Sequence, residues 1–342
     1  MPEARWWRTL ADGRVQCDLC PRRCRLREGQ RGFCFVRQNV GGELQLTTYG
    51  RSSGFAVDPV EKKPLYHFLP GSRVLSFGTA GCNLACKFCQ NWEMSTSREF
   101  DSLSREASPL QIAEDALRLG CDSVAFTYND PIIFAEYAID TAHACRAVGV
   151  RPIAVSAGYI EPAPARELYG AMDGANIDLK GFTEEFYRKI TGGRLEVVLG
   201  TLKAIRDTDC WLEVTTLLIP GLNDSENEIR EMTSWVVENL GPQTPHHFSA
   251  FHPTHRMQDR PRTPAETLIR AREIAMEEGE QYAYTGNIYD PEGQSTYCPQ
   301  CRAVVIWRDR FMADPAGLTV RASGEGACAK CGAFIAGVFE HG

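Results

Sequence analysis

Between residues 73 and 288 the chain alternates short apolar runs with longer segments of mixed polarity. The apolar runs are rich in β-branched and aromatic residues, and they are continuous rather than alternating, as in strands covered on both faces. This pattern predicts successive βα units around a parallel sheet. Six clear strands and a seventh, weaker one are predicted at 73–79, 123–129, 152–158, 175–180, 211–220, 247–252 and 283–288.

The segments between the predicted strands carry signals for helix ends. Ser108, Ser225 and Thr263 each stand three residues before a Gln or Glu, so each is expected to cap a helix in a capping box. Gly120 is expected just beyond the end of the first of these helices. In a parallel barrel or a doubly wound sheet, functional residues lie at the C-terminal ends of the strands.

Length and charge narrow the class of protein. The 342 residues suffice for one large domain with smaller additions. The 37 basic and 44 acidic residues give a net charge of −7, which argues against a protein that tracks nucleic-acid phosphates over its whole surface. No apolar run approaches the roughly 18 residues of a membrane helix, and the first residues lack a secretory apolar stretch. We therefore expect a cytoplasmic protein without membrane contact.

Fourteen cysteines in such a chain indicate metal or redox chemistry rather than disulfides. Cys121, Cys145 and Cys210 stand alone and are expected to be small buried apolar side chains. The others form three clusters, which are Cys17, Cys20, Cys24 and Cys34, then Cys82, Cys86 and Cys89, and finally Cys298, Cys301, Cys328 and Cys331.

The central cluster has the spacing C-x3-C-x2-C and follows the first predicted strand. A closed zinc site needs four ligands, and a fully ligated [4Fe–4S] cluster needs four thiolates. Three thiolates on one loop would leave one iron of such a cluster open. Gly78 and Gly81 would let the backbone turn tightly around it. A zinc site completed by a distant residue and an unligated loop are the alternatives.

With Phe88 directly before the third cysteine, this loop resembles the signature of the radical S-adenosylmethionine (SAM) superfamily. Over residues 15–335 the chain is similar to the AmmeMemoRadiSam group of that superfamily, whose members resemble pyruvate formate-lyase activating enzyme. The segments that carry the resemblance are 17–24, 127–131, 176–181, 219–224, 247–253, 284–287 and 297–301.

The resemblance implies a partial (β/α)6 barrel, similar to a TIM barrel, with a [4Fe–4S] cluster on Cys82, Cys86 and Cys89 and SAM at the open iron. Reductive cleavage of SAM would give a 5′-deoxyadenosyl radical that abstracts hydrogen from an unidentified protein, peptide or small molecule. Cofactor contacts are implied for Phe88, Asn129, Asp130, Ser156, Ile219 and Gly221. Catalytic positions near SAM or the substrate are implied for Asp178, Lys180 and His252.

Several alternatives stay open beside the resemblance. Asp130 stands where the group has Glu, and Ala157 stands where Asn is usual, so no role is carried over to residue 157. Ordinary strand-end salt bridges are the other interpretation of the three catalytic candidates. As functions, activation of a glycyl-radical enzyme is the first alternative, and a metal-rich electron carrier or binding protein is the second.

Two cysteine-rich segments flank the barrel, so that three parts are predicted at 1–65, 66–290 and 291–342. The C-terminal spacing C-x2-C-x26-C-x2-C is typical of a four-cysteine zinc ribbon, with a strand at 304–307. Mononuclear iron and an auxiliary cluster are the alternatives there. The N-terminal four cysteines could hold zinc or a second iron–sulfur cluster. The arginines around them form either a solvated surface or a docking face for an anionic substrate or an acidic electron donor, such as flavodoxin or ferredoxin.

Overall fold

The computed structural model describes residues 3–98 and 105–340. The N-terminal part of the chain forms two small antiparallel sheets, one of β1, β2 and β3 and one of β4 and β5. Their strands are β1 Trp7–Thr9, β2 Val15–Cys17, β3 Arg25–Leu26, β4 Arg37–Val40 and β5 Glu43–Leu46. Apolar side chains of both sheets belong to the same core cluster as the central helices and strands.

A nine-stranded open sheet dominates the described residues, with the order β14-β13-β12-β11-β10-β9-β7-β6-β8. Seven of its strands, β7 and β9 to β14, run parallel, while β6 and β8 are antiparallel to their neighbours. The strands are β6 Arg51–Pro59, β7 Arg73–Gly78, β8 Arg105–Glu106, β9 Ser123–Phe126, β10 Arg151–Ser156, β11 Gly174–Asp178, β12 Trp211–Leu218, β13 His246–Ala250 and β14 Ala283–Gly286.

Helices alternate with the parallel strands, as in a partial α/β barrel. The helices are α1 Trp92–Thr96, α2 Pro109–Arg118, α3 Ala135–Ala147, α4 Pro162–Gly170, α5 Glu184–Phe186, α6 Leu195–Arg206, α7 Glu226–Leu240, α8 Ala265–Glu277 and α9 Pro291–Gln294. Short 3-10 turns lie at Val60–Lys62 and Pro131–Phe134, and a π turn lies at Tyr187–Thr191. In the part of the chain that the structure describes, no helix combines the length and the apolar character that crossing a membrane requires.

The six clear strands and the seventh weaker one are confirmed, with ends shifted by a few residues. Two of the three predicted helix caps are also present. Ser108 and Gln111 form the reciprocal capping box of α2, and Gly120 follows that helix with a φ of 64°. Ser225 accepts the hydrogen bond from the Glu228 backbone N–H, whereas the Glu228 carboxylate turns away from its own helix.

The third predicted cap, Thr263, is wrong. α8 begins two residues later, at Ala265, with no side-chain cap. The Thr263 hydroxyl instead donates to the Leu218 carbonyl oxygen at 2.6 Å and accepts from the Phe251 backbone N–H at 3.0 Å. The hydroxyl therefore joins the ends of β12 and β13. Its two hydrogen bonds satisfy two backbone groups that would otherwise be buried without partners.

The C-terminal segment folds into two small three-stranded sheets that pack against residues 66–69. Leu69 N–H donates to the Val338 carbonyl oxygen at 2.7 Å, and the buried Arg308 guanidinium donates to the Tyr66 carbonyl oxygen. The strands are β15 Thr296–Tyr297, β16 Val304–Asp309, β17 Met312–Asp314, β18 Leu318–Val320, β19 Gly326–Cys328 and β20 Phe334–Ile335. The strand predicted between the two cysteine pairs is thus confirmed as β16.

Glu213, a buried carboxylate on β12, connects the large sheet to residues 66–69, against which the C-terminal segment packs. Glu213 accepts hydrogen bonds from the Tyr66 and His67 backbone N–H groups at 2.9 and 2.7 Å. It also accepts from Trp211 Nε1 at 3.0 Å and lies 2.6 Å from His247 Nε2. Burial favours a higher pKa for this carboxyl group, but the His247 contact and the other donors outweigh it, so the pKa of Glu213 is lowered.

Glu213→Gln should lower the free energy of unfolding by about 3 kcal/mol, because an amide N–H would then face buried donors. The pKa of the Glu213 carboxyl group is lower in the folded chain than its ordinary 4.5. The ionised carboxylate therefore stabilises the fold above pH 4.5, and this stabilisation is lost as the pH falls through the lowered pKa. Denaturant melts from pH 3 to pH 7, with the exposed Glu231→Gln as matched control, measure both effects. Equal stability of the two variants at pH 7 would contradict the stabilising role of the Glu213 carboxylate.

Candidate functional site

Three cysteines lie on the loop that follows β7, at the carboxyl ends of the parallel strands. Cys82, Cys86 and Cys89 line a cavity of about 310 Å³. Side chains from the ends of several strands and the following loops face the same cavity. The polar ones include Asn129, Asp130, Ser156, Asp178, Lys180, Thr215, Ser249 and Asn287. The structure therefore brings together the cysteine loop and most of the polar positions predicted around it.

The Asn129 side chain fixes the turn between β7 and the first of these cysteines. Its Oδ1 accepts from the Thr79 backbone N–H at 3.1 Å. Its Nδ2 donates to Thr79 Oγ1 and to the Gly81 carbonyl oxygen, both at 3.0 Å. On the other side of the loop, Asn91 Nδ2 donates to the Tyr128 carbonyl oxygen at 2.7 Å. The turn after β9 thus holds the cysteine loop at both of its ends.

Asp130 is buried and bridges the ends of β9 and β10. Its Oδ1 accepts from Ile132 N–H at 3.1 Å and from Ser156 Oγ at 3.0 Å, and its Oδ2 accepts from Ala157 N–H at 2.9 Å. Burial raises the pKa of Asp130 to about 6, although these three donors oppose the shift. A carboxylate has about four acceptor positions, so one remains for a group in the cavity. At residue 157 the contact with Asp130 is made by the backbone N–H.

Lys180 and Asp178 form an ion pair inside the cavity. Lys180 Nζ lies 2.7 Å from Asp178 Oδ2 and 5.7 Å from the centre of the Phe88 ring. Burial alone would lower the pKa of Lys180, but the Asp178 carboxylate more than offsets it and the pKa is raised. Lys180 therefore stays protonated, and it suits the binding of an anionic group better than the removal of a proton.

Three of the predicted cofactor-binding and catalytic residues do not line the cavity. Ile219 N–H donates to Asn223 Oδ1 at 2.7 Å, and Gly221 N–H donates to Asp224 Oδ1 at 2.9 Å, so this turn satisfies its own backbone groups. His252 is exposed directly after β13 and is absent from the cavity wall. The roles of these three residues stay predictions.

Thr215 is a cavity residue that the sequence analysis missed. It lies on β12 and is 8% exposed, and its hydroxyl is buried without a hydrogen-bond partner among the described residues. Leaving such a group unpaired costs about 1–3 kcal/mol, so a bound molecule that pairs with it gains affinity. The sequence signal is weak, because a threonine within an apolar run is read as part of a buried strand.

The outer side of the cysteine loop forms a wall of a second, open groove of about 670 Å³. The groove runs between the loop before β4, the segment that begins at α1, and residues 255–256. Its ionisable lining residues other than cysteine are Arg31, Arg98, His255 and Arg256, and no carboxylate belongs to its described wall. The Trp92 ring stacks on His255 with a centroid distance of 5.3 Å. The groove is therefore electropositive, although the whole chain is acidic.

The four N-terminal cysteines line one cavity directly behind the cysteine loop. The two regions touch closely, since a Cβ on Gly81 would lie 2.1 Å from the Cys34 carbonyl oxygen. Gly81 also has a φ of 87°, a conformation that other residues rarely adopt. Only glycine therefore fits at this position, where the N-terminal segment packs directly against the cysteine loop.

Several arginines of the N-terminal segment are used inside the molecule. Arg22 donates to the backbone carbonyl oxygens of Asn83 and Gly192, at 2.9 and 2.6 Å. Arg37 is fully buried, and its guanidinium donates to both carboxylate oxygens of Glu136. These residues fasten the N-terminal layer to the barrel. They therefore belong neither to a solvated surface nor to a docking face, the two interpretations proposed from the sequence.

The C-terminal cysteines converge on one point. The ligand atoms of all four lie within 4.8 Å of one another. The Sγ atoms of Cys298 and Cys331 are 3.6 Å apart, and those of Cys301 and Cys328 are 3.7 Å apart. This group could hold one metal ion with four ligands.

Comparison with known proteins identifies the family. The profile of the radical SAM superfamily matches residues 77–233, which include the cysteine loop. An uncharacterized protein of Methanocaldococcus jannaschii is 41% identical over 98% of this chain and 99% of its own length. The chain belongs to the radical SAM superfamily. Among radical SAM relatives with named activities, pyruvate formate-lyase-activating enzyme of Clostridium pasteurianum is 25% identical over 50% of this chain and 71% of its own.

Two further proteins are similar to parts of the chain. The 4-hydroxyphenylacetate decarboxylase activating enzyme of Clostridioides difficile is 22% identical over 45% of this chain and 52% of its own length. The crystal structure of Streptococcus suis SuiB bound to precursor peptide SuiA is 16% identical, with a TM-score of 0.50, over 67% of this chain and 51% of that one. This last likeness concerns the fold alone.

Radical SAM membership implies a [4Fe–4S] cluster and SAM, and the residues present fit both groups. The three thiols share one loop beside a cavity that is also lined by Asp130 and by Thr215, whose hydroxyl has no partner among the described residues. The loop is held close to β9, since a Cβ on Gly78 would lie 2.5 Å from the Thr127 carbonyl oxygen.

Proposed function

We propose that this radical SAM enzyme holds its cluster on Cys82, Cys86 and Cys89, binds SAM in the barrel cavity and abstracts a hydrogen atom from a protein, peptide or small molecule. When bound, the reduced cluster supplies one electron that splits SAM into methionine and a 5′-deoxyadenosyl radical, which takes hydrogen from the substrate. The observation that carries the proposal is the single cavity shared by the thiols and the strand-end polar residues. An electron carrier has no need of such a cavity.

The residues around the cavity supply complementary partners for SAM. The remaining acceptor position of Asp130 would receive the SAM ammonium group, and the bond would be charge-assisted in a partly dry site. Lys180 keeps its positive charge and offers a partner for a carboxylate. Leu84, Phe88 and Leu217 contribute apolar walls, which exclude water from the reacting atoms.

Activation of a glycyl-radical enzyme is a second candidate function. It is supported by the two named activating enzymes, whose similarity covers half of this chain or less. The appearance of a glycyl-radical EPR signal on added pyruvate formate-lyase would distinguish this function from action on a peptide or a small molecule. The similarity in the seven segments named above also supports membership of the AmmeMemoRadiSam group.

The electropositive groove supports a docking position for an acidic electron donor, such as a flavodoxin or ferredoxin. The groove reaches the outer face of the cysteine loop, so a donor seated there would lie close to the cluster. Its wall carries cationic side chains and no carboxylate among the described residues, which complements the surface of an acidic protein.

For the C-terminal ribbon we propose zinc. A tetrahedral ion with Zn–S bonds of about 2.3 Å separates its thiolates by about 3.8 Å. The paired sulfur atoms lie 3.6 and 3.7 Å apart. None of the four cysteines lines the barrel cavity, and the ribbon packs against residues 66–69. The ion would therefore stabilise the fold and take no part in the reaction.

Protein purified in air should retain about one zinc ion per chain, because zinc has no redox chemistry whereas an open iron–sulfur cluster decays in oxygen. A Cys301→Ser, Cys328→Ser double variant should lose this zinc and melt at a lower temperature. The buried Cys121→Ala serves as matched control and should keep it. Elemental analysis with a thermal melt provides both readouts, and iron bound by the ribbon in place of zinc would rule out the assignment.

The proposed reaction is tested by reconstituting the protein anaerobically with iron and sulfide and adding dithionite and SAM. We expect 5′-deoxyadenosine and methionine from the wild-type chain, and none from Cys86→Ala, because the cluster would lose one of its three thiolates. Cys121→Ala, a buried cysteine far from the loop in sequence, should retain the activity. Full cleavage of SAM by Cys86→Ala would refute the ligand assignment, and no cleavage by the wild type would refute the function.

Asp130→Ala should weaken SAM binding about ten- to a hundredfold, because a charge-assisted hydrogen bond is worth about 1.5–3 kcal/mol. The visible spectrum of the cluster should not change, since no thiolate is altered, and Asp130→Glu should restore much of the affinity. Titration of SAM beside a denaturant melt gives the measurement, with the exposed Asp115→Ala as control. Unchanged affinity with lower stability would show that Asp130 only caps the turn that follows it.

A further inference from the structure

The four N-terminal cysteines form a second candidate metal site that is separate from the barrel cavity. Cys17 ends β2, Cys20 and Cys24 lie in the connection to β3, and Cys34 lies shortly before β4. All four line one cavity, and all except the half-buried Cys24 are buried. Four thiols that surround one buried space are the ligand set of zinc or of an iron–sulfur cluster.

The spacing of the thiols distinguishes these two cofactors. In residues 3–98 and 105–340, the C-terminal cysteines are the group whose metal-ligating atoms all lie within 4.8 Å of one another. The N-terminal cysteines do not meet this condition, and neither do the three barrel cysteines. A polynuclear core separates its thiolates by more than a single ion does, because iron and sulfide atoms stand between them. The N-terminal cysteines are therefore spread more widely than those of the ribbon, as a polynuclear core requires.

The charge of the cavity wall suits an anionic centre. Arg22, Arg23 and Arg37 line it together with the cysteines. Arg23 and Arg37 are ion-paired with Glu161 and Glu136 outside this wall, and Arg22 has no carboxylate partner among the described residues. A centre ligated by four thiolates carries net negative charge, and nearby guanidinium groups stabilise that charge in a buried site.

Asn83 connects this cavity with the cluster loop. It follows Cys82 directly in sequence and is almost fully buried. Its Nδ2 donates to the Tyr159 carbonyl oxygen at 2.8 Å, and its side chain lines the same cavity as Cys20. Its Oδ1 has no partner among the described residues. Asn83 therefore links the wall of this cavity to the loop of the barrel cysteines.

We propose that Cys17, Cys20, Cys24 and Cys34 hold a second iron–sulfur cluster, of the [4Fe–4S] type, directly behind the loop that carries the barrel cysteines. The four thiols around one buried space and their wider separation carry this assignment. The proposal concerns the cofactors of the chain, and it holds whether or not the barrel site cleaves SAM.

The test uses the full chain with Cys82, Cys86 and Cys89 all changed to Ala, reconstituted anaerobically with iron and sulfide. After desalting, this variant should keep about four iron and four sulfide per chain, together with its zinc. Mössbauer spectra should show a [4Fe–4S] cluster. Adding Cys20→Ala and Cys34→Ala should remove the iron and the sulfide, whereas adding Cys145→Ala, a lone buried cysteine, should leave both in place.

A triple variant without sulfide but with two zinc ions would overturn the proposal, and so would one with the ribbon zinc alone. Should the triple variant fail to fold, the wild-type chain carries the same test. It should then hold about eight iron atoms, and Cys20→Ser with Cys34→Ser should lose about half of them. Loss of no iron from that double variant would also overturn the assignment.

Discussion

The side chain of Asn129 makes the contact on which the site depends. One amide accepts from one backbone N–H and donates to a hydroxyl and a backbone carbonyl oxygen, all within the turn between β7 and Cys82. An extended loop of this length has many conformations in which its thiols would face solvent. The amide removes that freedom by fixing the start of the loop to the end of β9, and Gly78 allows the approach because it has no side chain. The cavity then follows from parallel strands that end at one edge of the sheet.

The buried polar groups at the two ends of the barrel serve different purposes. At the cavity end, polar groups are left with spare hydrogen-bonding capacity, as at Thr215 and Asp130. Around residues 66–69, Glu213 receives donors from three directions and Arg308 donates to a backbone oxygen, although Arg308 Nε has no hydrogen-bond partner among the described residues. The first arrangement leaves binding energy for a ligand, and the second fastens the C-terminal ribbon to the sheet.

Local pattern accounts for the parts of this structure that the sequence predicts. The seven parallel strands are continuous apolar runs, and the cysteine spacing is itself a local signal. β6 was not predicted, because its sequence is polar, includes Gly54 and pairs with a shifted register. The misassigned Thr263 and the buried Arg37 have another cause. Their partners, Leu218 and Glu136, lie 45 and 99 residues away in the chain, and only the folded sheet brings them together.

The central claim is that the barrel cysteines hold a cluster with which SAM interacts directly. The most direct measurement is the EPR spectrum of the reconstituted, dithionite-reduced protein, recorded without and with SAM. The account predicts a component that changes when SAM is added and that is missing from Cys86→Ala, while Cys121→Ala retains it. A spectrum that SAM leaves unchanged, or a SAM-sensitive signal that survives in Cys86→Ala, would contradict the account.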